Sequence, residues 1–143
     1  GNKVFMADTF HKVKPPKNNL FGLMNQKYSE DTTPLGEDEL VLYVNQLKLF
    51  DMEERDDQTV LVAYFDVKKD DIEALKQRVD SAKIAPGSEH IPNLEWTVDE
   101  MGSEMAEVEL VISTEGAFGL TMNDFILASI IGEENLSDIV EQQ

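Results

Sequence analysis

Apolar and polar residues alternate with different periods along the chain, and each period predicts an element. The plainest is a helix over 70–82, where Ile72, Leu75, Val79 and Ala82 recur at spacings of three and four among charged residues. Asp70 and Asp71 suit its N-terminal end, and Pro86-Gly87 lie beyond its other end. From Thr59 to Val67 apolar side chains fall on both sides of an extended chain. Val60, Val62 and Tyr64 oppose Leu61, Ala63 and Phe65, which predicts a central strand. Leu94, Trp96 and Val98 alternate with Glu95 and Thr97, and Val108, Leu110 and Ile112 alternate with Glu107 and Glu109. With a turn at Met101-Gly102-Ser103 between them, these predict an antiparallel hairpin with one wet, acidic face. Thr121 and Asp124 have the spacing of a capping box, opening an apolar helix over Phe125 to Ile131 that Gly132 would end. Leu136, Ile139 and Val140 mark a last amphipathic turn or two.

Residues 39–51 fit two periods. Leu40-Val41-Leu42-Tyr43-Val44 is apolar throughout, and Leu47, Leu49 and Phe50 continue it. Acidic Glu37, Asp38 and Glu39 ahead of it, with Leu40, Tyr43, Val44 and Leu47 on one face, argue for a helix. The valines, the tyrosine and the nearby strand at 59–67 argue for a strand, which is the reading preferred here. Asp51-Met52-Glu53-Glu54-Arg55-Asp56-Asp57-Gln58 then reads as an exposed hairpin connection between the two.

The N-terminal part has a different character. Lys3 to Met6 is a candidate short strand, and Pro15-Pro16 predicts an extended arm, because each proline fixes φ and lacks an N–H. Leu20, Phe21, Leu23 and Met24 form an apolar patch expected to dock on the body, followed by a loop over 29–34. The organisation expected is a basic, proline-containing arm and docking loop over 1–36 and an acidic α+β domain over 37–143. The fold class is a single α+β domain with an antiparallel or mixed sheet of four or five strands and helices on one face. The strand-helix-strand step from Thr59 to Val98 also fits a split βαβ unit, as in ferredoxin-like arrangements.

Composition supports a packed core. Leu, Ile, Val and Phe make up 41 of 143 residues, above the roughly 20% below which strongly charged chains stay disordered. There is no cysteine, which removes disulfides, thiolate nucleophiles and cysteine-ligated zinc. No run of about 18 apolar residues exists, and the first thirty residues lack a secretory apolar stretch, so a cytoplasmic, membrane-free chain is expected. Gly1 in place of an initiator Met suggests tag cleavage or trimming, which leaves room for a removed signal peptide.

Charge changes the picture most. Residues 1–27 carry five lysines against Asp8, a net +4, whereas the other 116 residues carry 7 basic and 28 acidic groups, a net −21. Such a body repels nucleic-acid phosphates and anionic membranes, so no direct nucleic acid or membrane partner is expected. A basic protein is the partner that this field favours.

Candidate chemistry is sparse. His11 and His90 are far apart and stand in loop contexts, glycines form no phosphate-binding loop, and Ser113, Thr114 and Ser129 have no identifiable base. The acids of 51–57 offer oxygen donors to calcium, but Asp56 stands where a calcium-binding EF-hand loop needs glycine. No catalytic residue, metal site or cofactor is therefore assigned. The candidate partner-binding residues are Glu37, Asp38, Glu39, Asp51, Glu53, Glu54, Asp56, Asp57, Asp70, Asp71, Glu107 and Glu109, with Glu95 beside them. Methionines and Phe21 in or beside predicted connections (Met24, Met52, Met101, Met105) would adapt to a partner or cover the core edge.

The expected function is a non-catalytic acidic protein that binds or blocks a basic partner, in the manner of an immunity protein, an inhibitor or a nucleic-acid mimic. A small-molecule- or metal-handling enzyme with a site assembled from distant residues is the alternative. A structural subunit, whose basic arm lies on the acidic body of the next copy, is a third. An exposed sheet edge would also allow a homodimer by strand pairing.

Overall fold

A computed structural model of the protein describes residues 19–141. The expectations at Lys3–Met6, His11 and Pro15-Pro16, and the side chains of Leu20 and Phe21, lie outside what is described. The elements are α1 (Asn19–Asn25), α2 (Glu37–Val44), β1 (Asp51–Arg55), β2 (Gln58–Lys68), α3 (Ile72–Lys83), β3 (Asn93–Met101), β4 (Met105–Ser113) and α4 (Met122–Glu133). A short 3₁₀ turn over Lys69–Asp71 leads into α3.

The four strands form one antiparallel sheet in the order β1-β2-β4-β3, and the helices pack on one face, an α+β domain as the alternation predicted. β2 and β3 both run antiparallel to β4. They are therefore parallel to each other, with β4 inserted between them and α3 connecting them, which is a split βαβ unit. Beyond β2 the edge is held by β1, and further along by a single bridge between Val67 and Val140.

The core lies under the helices. Leu61, Ala63, Phe65 and Val67 of β2 and Val108, Leu110 and Ile112 of β4 meet Leu75 and Val79 of α3 and most of α4. Because α4 runs through the centre of this layer, Asn123–Ser129 and Ile131 are all buried, and the helix needs no polar stripe. It extends to Glu133, so Gly132 lies inside it and does not end it.

Two expectations are corrected together. Residues 39–51 do not form a strand: Glu37–Val44 is helical, and its strand-like apolar run buries Val41 and Val44 as one helical face. Glu39 Oε1 accepts the Gly36 N–H at 3.3 Å, and three acids in the first turn suit the positive end of the helix dipole. At the other end, the side-chain amides of Asn45 and Gln46 donate to the Val41 and Leu42 carbonyls at 2.8 and 3.2 Å. The strand that pairs with β2 is instead Asp51–Arg55, the segment read as a connection. Asp56 and Asp57, with φ of 49° and 65°, close it as a two-residue hairpin turn of the mirror-image type that matches strand twist.

The segment ahead of α2 is tied to the body. Leu23 is buried, and the Tyr28 hydroxyl donates to the Lys83 carbonyl at 2.7 Å. Asn123 at the start of α4 holds Ser29 from both sides, accepting its N–H at 2.9 Å and donating to its carbonyl at 2.7 Å.

Candidate functional site: an acidic sheet face and its adjoining groove

Residues paired across a sheet point to the same side, so the register sorts every strand side chain. Leu61, Ile112 and Leu94 form one row on the helix side. On the opposite face, Asp51, Val62, Val111 and Glu95 form one row. Tyr64, Glu109 and Thr97 form the next, and Asp66, Glu107 and Asp99 the one beyond. Glu53 joins this face beside Val60. The open face of the sheet thus carries Asp51, Glu53, Asp66, Glu95, Asp99, Glu107 and Glu109, with Arg55 and Lys68 as its strand cations.

Two parts of this face behave differently. Around Arg55 the charges are matched. Its guanidinium binds Glu109 through two bonds of 2.8 and 2.9 Å, and reaches Glu53 at 2.9 and 3.2 Å. The Tyr64 hydroxyl donates to Glu53 at 2.8 Å. Arg55 pairs with Gln58 at the hairpin end, so to reach Glu109 it bends back over the sheet. Val60, Val62 and Val111 form a small buried cluster on this face. The hydrogen bonds from Arg55 hold the Glu109 carboxyl below its ordinary range, and the bond to Glu53 raises the Tyr64 phenol.

In the other part, Asp66, Glu107 and Asp99 form one row. Three carboxylates stand directly opposite one another across β2, β4 and β3. Like charges in that relation are destabilising.

Beside β1 lies a groove of about 260 Å³ between that strand and α2. Its acids are Glu37, Asp51, Glu53 and Glu54, and Leu40, Val41 and Met52 supply apolar lining. Such a combination suits the aliphatic stem and charged head of a lysine or arginine.

The structure therefore brings together most of the acids singled out in the sequence. Glu37, Asp51, Glu53 and Glu54 share the groove, with Asp38 and Glu39 in the same first turn of α2. Asp56 and Asp57 form the hairpin turn next to it, while Glu95, Glu107 and Glu109 lie on the open face. Asp70 and Asp71 belong to the 3₁₀ turn that follows the far end of β2, away from the hairpin. No three His, Asp or Glu residues among those described are placed to hold a metal ion.

Sequence reasoning missed Asp66 and Asp99, because only the register reveals that they flank Glu107. It also missed Phe118, which is 97% exposed in the loop between β4 and α4. Gly116 and Gly119 on either side, the first with φ of 81°, were the available signal of a projecting loop.

A second polar cluster is internal. Asp124 is fully buried and accepts the Thr121 N–H at 2.8 Å, the Thr121 hydroxyl at 3.2 Å and the Thr114 hydroxyl at 2.8 Å. Burial raises its carboxyl, and these hydrogen bonds oppose the rise. This is the expected cap of α4, with Thr114 added from the end of β4, and its oxygens are spent on holding backbone and hydroxyl groups. Thr114 also borders an open depression of about 470 Å³ with Lys83, His90 and Glu115. Ser129 donates to the Ile126 carbonyl at 2.9 Å within its own helix. None of these hydroxyls is paired with a histidine among the described residues.

No known family model, curated protein or solved structure matches this chain. Among the described residues no helix is long and apolar enough to cross a membrane.

Proposed function

We propose that the protein is a non-catalytic interaction protein that binds or blocks a basic protein partner through its open sheet face and the groove between α2 and β1. The observation that carries this reading is the directly opposed pair Glu107 and Asp99, on a sheet face against which no described helix packs. A cationic partner would relieve that repulsion on contact, and the surrounding field would speed the encounter. The neighbouring groove adds apolar contact to charge, which a coat serving only solubility has no need of.

Calorimetric titration with a lysine oligomer tests the reading. Association is expected at low ionic strength and should weaken steeply at about 0.5 M salt, where the screening length falls to a few Å. The Asp99→Asn, Glu107→Gln double variant should bind several-fold more weakly. Absence of binding at low salt, or equal binding by that variant, contradicts it.

A further inference from the structure

We infer that the outer edge of β3 is a docking site for an extended, alternately cationic segment of the partner, which joins the sheet as a fifth strand. This rests on the basic-partner reading above and assigns it a place and a geometry. β3 spans nine residues, Asn93–Met101, and is the terminal strand of the sheet. Its inner side pairs with β4, and no described residue makes a backbone hydrogen bond to its outer side. The opposite edge strand, β1, has only five residues and lies along the groove with α2. A long edge whose outer N–H and C=O groups meet no backbone partner among the described residues is a template for another strand.

The side chains select which strand fits. Glu95, Thr97 and Asp99 project on the open face, while Leu94, Trp96 and Val98 project on the other, with Val98 41% exposed. A second copy of β3, paired antiparallel in full overlap about Thr97, would set Glu95 against Asp99 at two places. Like charges directly opposite disfavour that self-pairing. A strand with lysine at alternate positions instead sets an ammonium opposite each carboxylate, and its intervening apolar residues fall beside Trp96 and Val98. The backbone supplies affinity and the alternation supplies selectivity.

The test uses a synthetic peptide that alternates lysine and valine, titrated into the isotope-labelled protein and followed by NMR and amide hydrogen exchange. Binding should perturb Leu94 to Glu100 and protect amides on the outer side of β3. A peptide of the same sequence, N-methylated at alternate residues to remove the donors of one edge, should lose binding in one of its two phasings. The Glu95→Lys, Asp99→Lys double variant changes only exposed side chains, and should bind the parent peptide about tenfold more weakly. Equal binding by both N-methylated phasings overturns the inference, as does perturbation confined to the α2–β1 groove; in either case the basic-partner reading stands. Failure of the peptide to bind anywhere at low salt removes both. Peptide-resistant self-association through β3 overturns the inference in favour of a homodimer.

Discussion

Leu110 and Val111 are neighbours on β4, yet they face opposite sides of the sheet. Leu110 is wholly buried beneath the helices, in a layer shared with Phe65, Leu75 and Phe125. Val111 belongs to a cluster of three valines, on the face that also carries Tyr64 and the contacts of Arg55 with Glu109 and Glu53. One face is therefore sealed by apolar packing that is indifferent to salt and pH. The other carries ion pairs and hydrogen bonds that respond to both.

Truncation of the neighbours should separate the faces most sharply. Leu110→Ala is expected to cost about 2 to 5 kcal/mol, and Val111→Ala about 1 to 2 kcal/mol, because the open face can collapse around a smaller side chain. Denaturant unfolding measures both. Equal losses would mean that the second face is as tightly packed as the first.

Removal of the cap of α4 ranks next. Asp124→Ala leaves the Thr121 N–H and the Thr114 hydroxyl without their acceptor in a buried site, at about 2 to 3 kcal/mol. Asp124→Asn keeps the shape and isolates the charge. Because burial raises the Asp124 carboxyl, its share of stability is present below the unfolded value, about 3.9, and is lost as pH rises through the higher folded value. The Asn variant should lack that component when melting temperature is followed against pH.

Arg55→Met removes the hydrogen bonds that Arg55 makes to Glu109 and Glu53. Its side chain remains one-third exposed, so the effect expected is about 1 kcal/mol or less. The pH dependence is the sharper readout and has the opposite sign to that of Asp124. Arg55 depresses the Glu109 carboxyl, so this contribution is present above the unfolded value, about 4.3, and is lost as pH falls through the folded one. The variant should therefore show a shallower loss of stability in acid.

The smallest effect should be a gain. Asp99→Asn relieves one opposed pair in the row with Glu107 and is expected to stabilise the free protein by about 0.2 to 0.5 kcal/mol at low salt. The gain should vanish at about 0.5 M salt.

The parts of the fold that could be read from the sequence are those with a single consistent period. The Ile72, Leu75, Val79 spacing has no extended reading, and the acid-apolar alternation around Trp96 and Leu110 has no helical one. Leu40 to Val44 carries no polar position to set a period, so neighbouring context decided it: acids at the helix start and amides folding back at its end. β1 was hidden for the converse reason. Its five residues, Asp-Met-Glu-Glu-Arg, have only Met52 to mark an inward side, and pairing with β2 supplies what composition does not. The same limit applies to the candidate site. The acids of α2 and β1 are near in sequence, whereas the opposition of Asp66, Glu107 and Asp99 depends on a register that only the folded sheet defines.

The most direct test of the central claim is an NMR map of the isotope-labelled protein titrated with a basic peptide at low ionic strength. Shifts concentrated at Glu107, Asp99, Glu37 and Glu53, and abolished by salt, are the result expected from one usable acidic surface. Shifts spread evenly over acids on all sides, Asp70, Asp71 and Asp138 included, would contradict it.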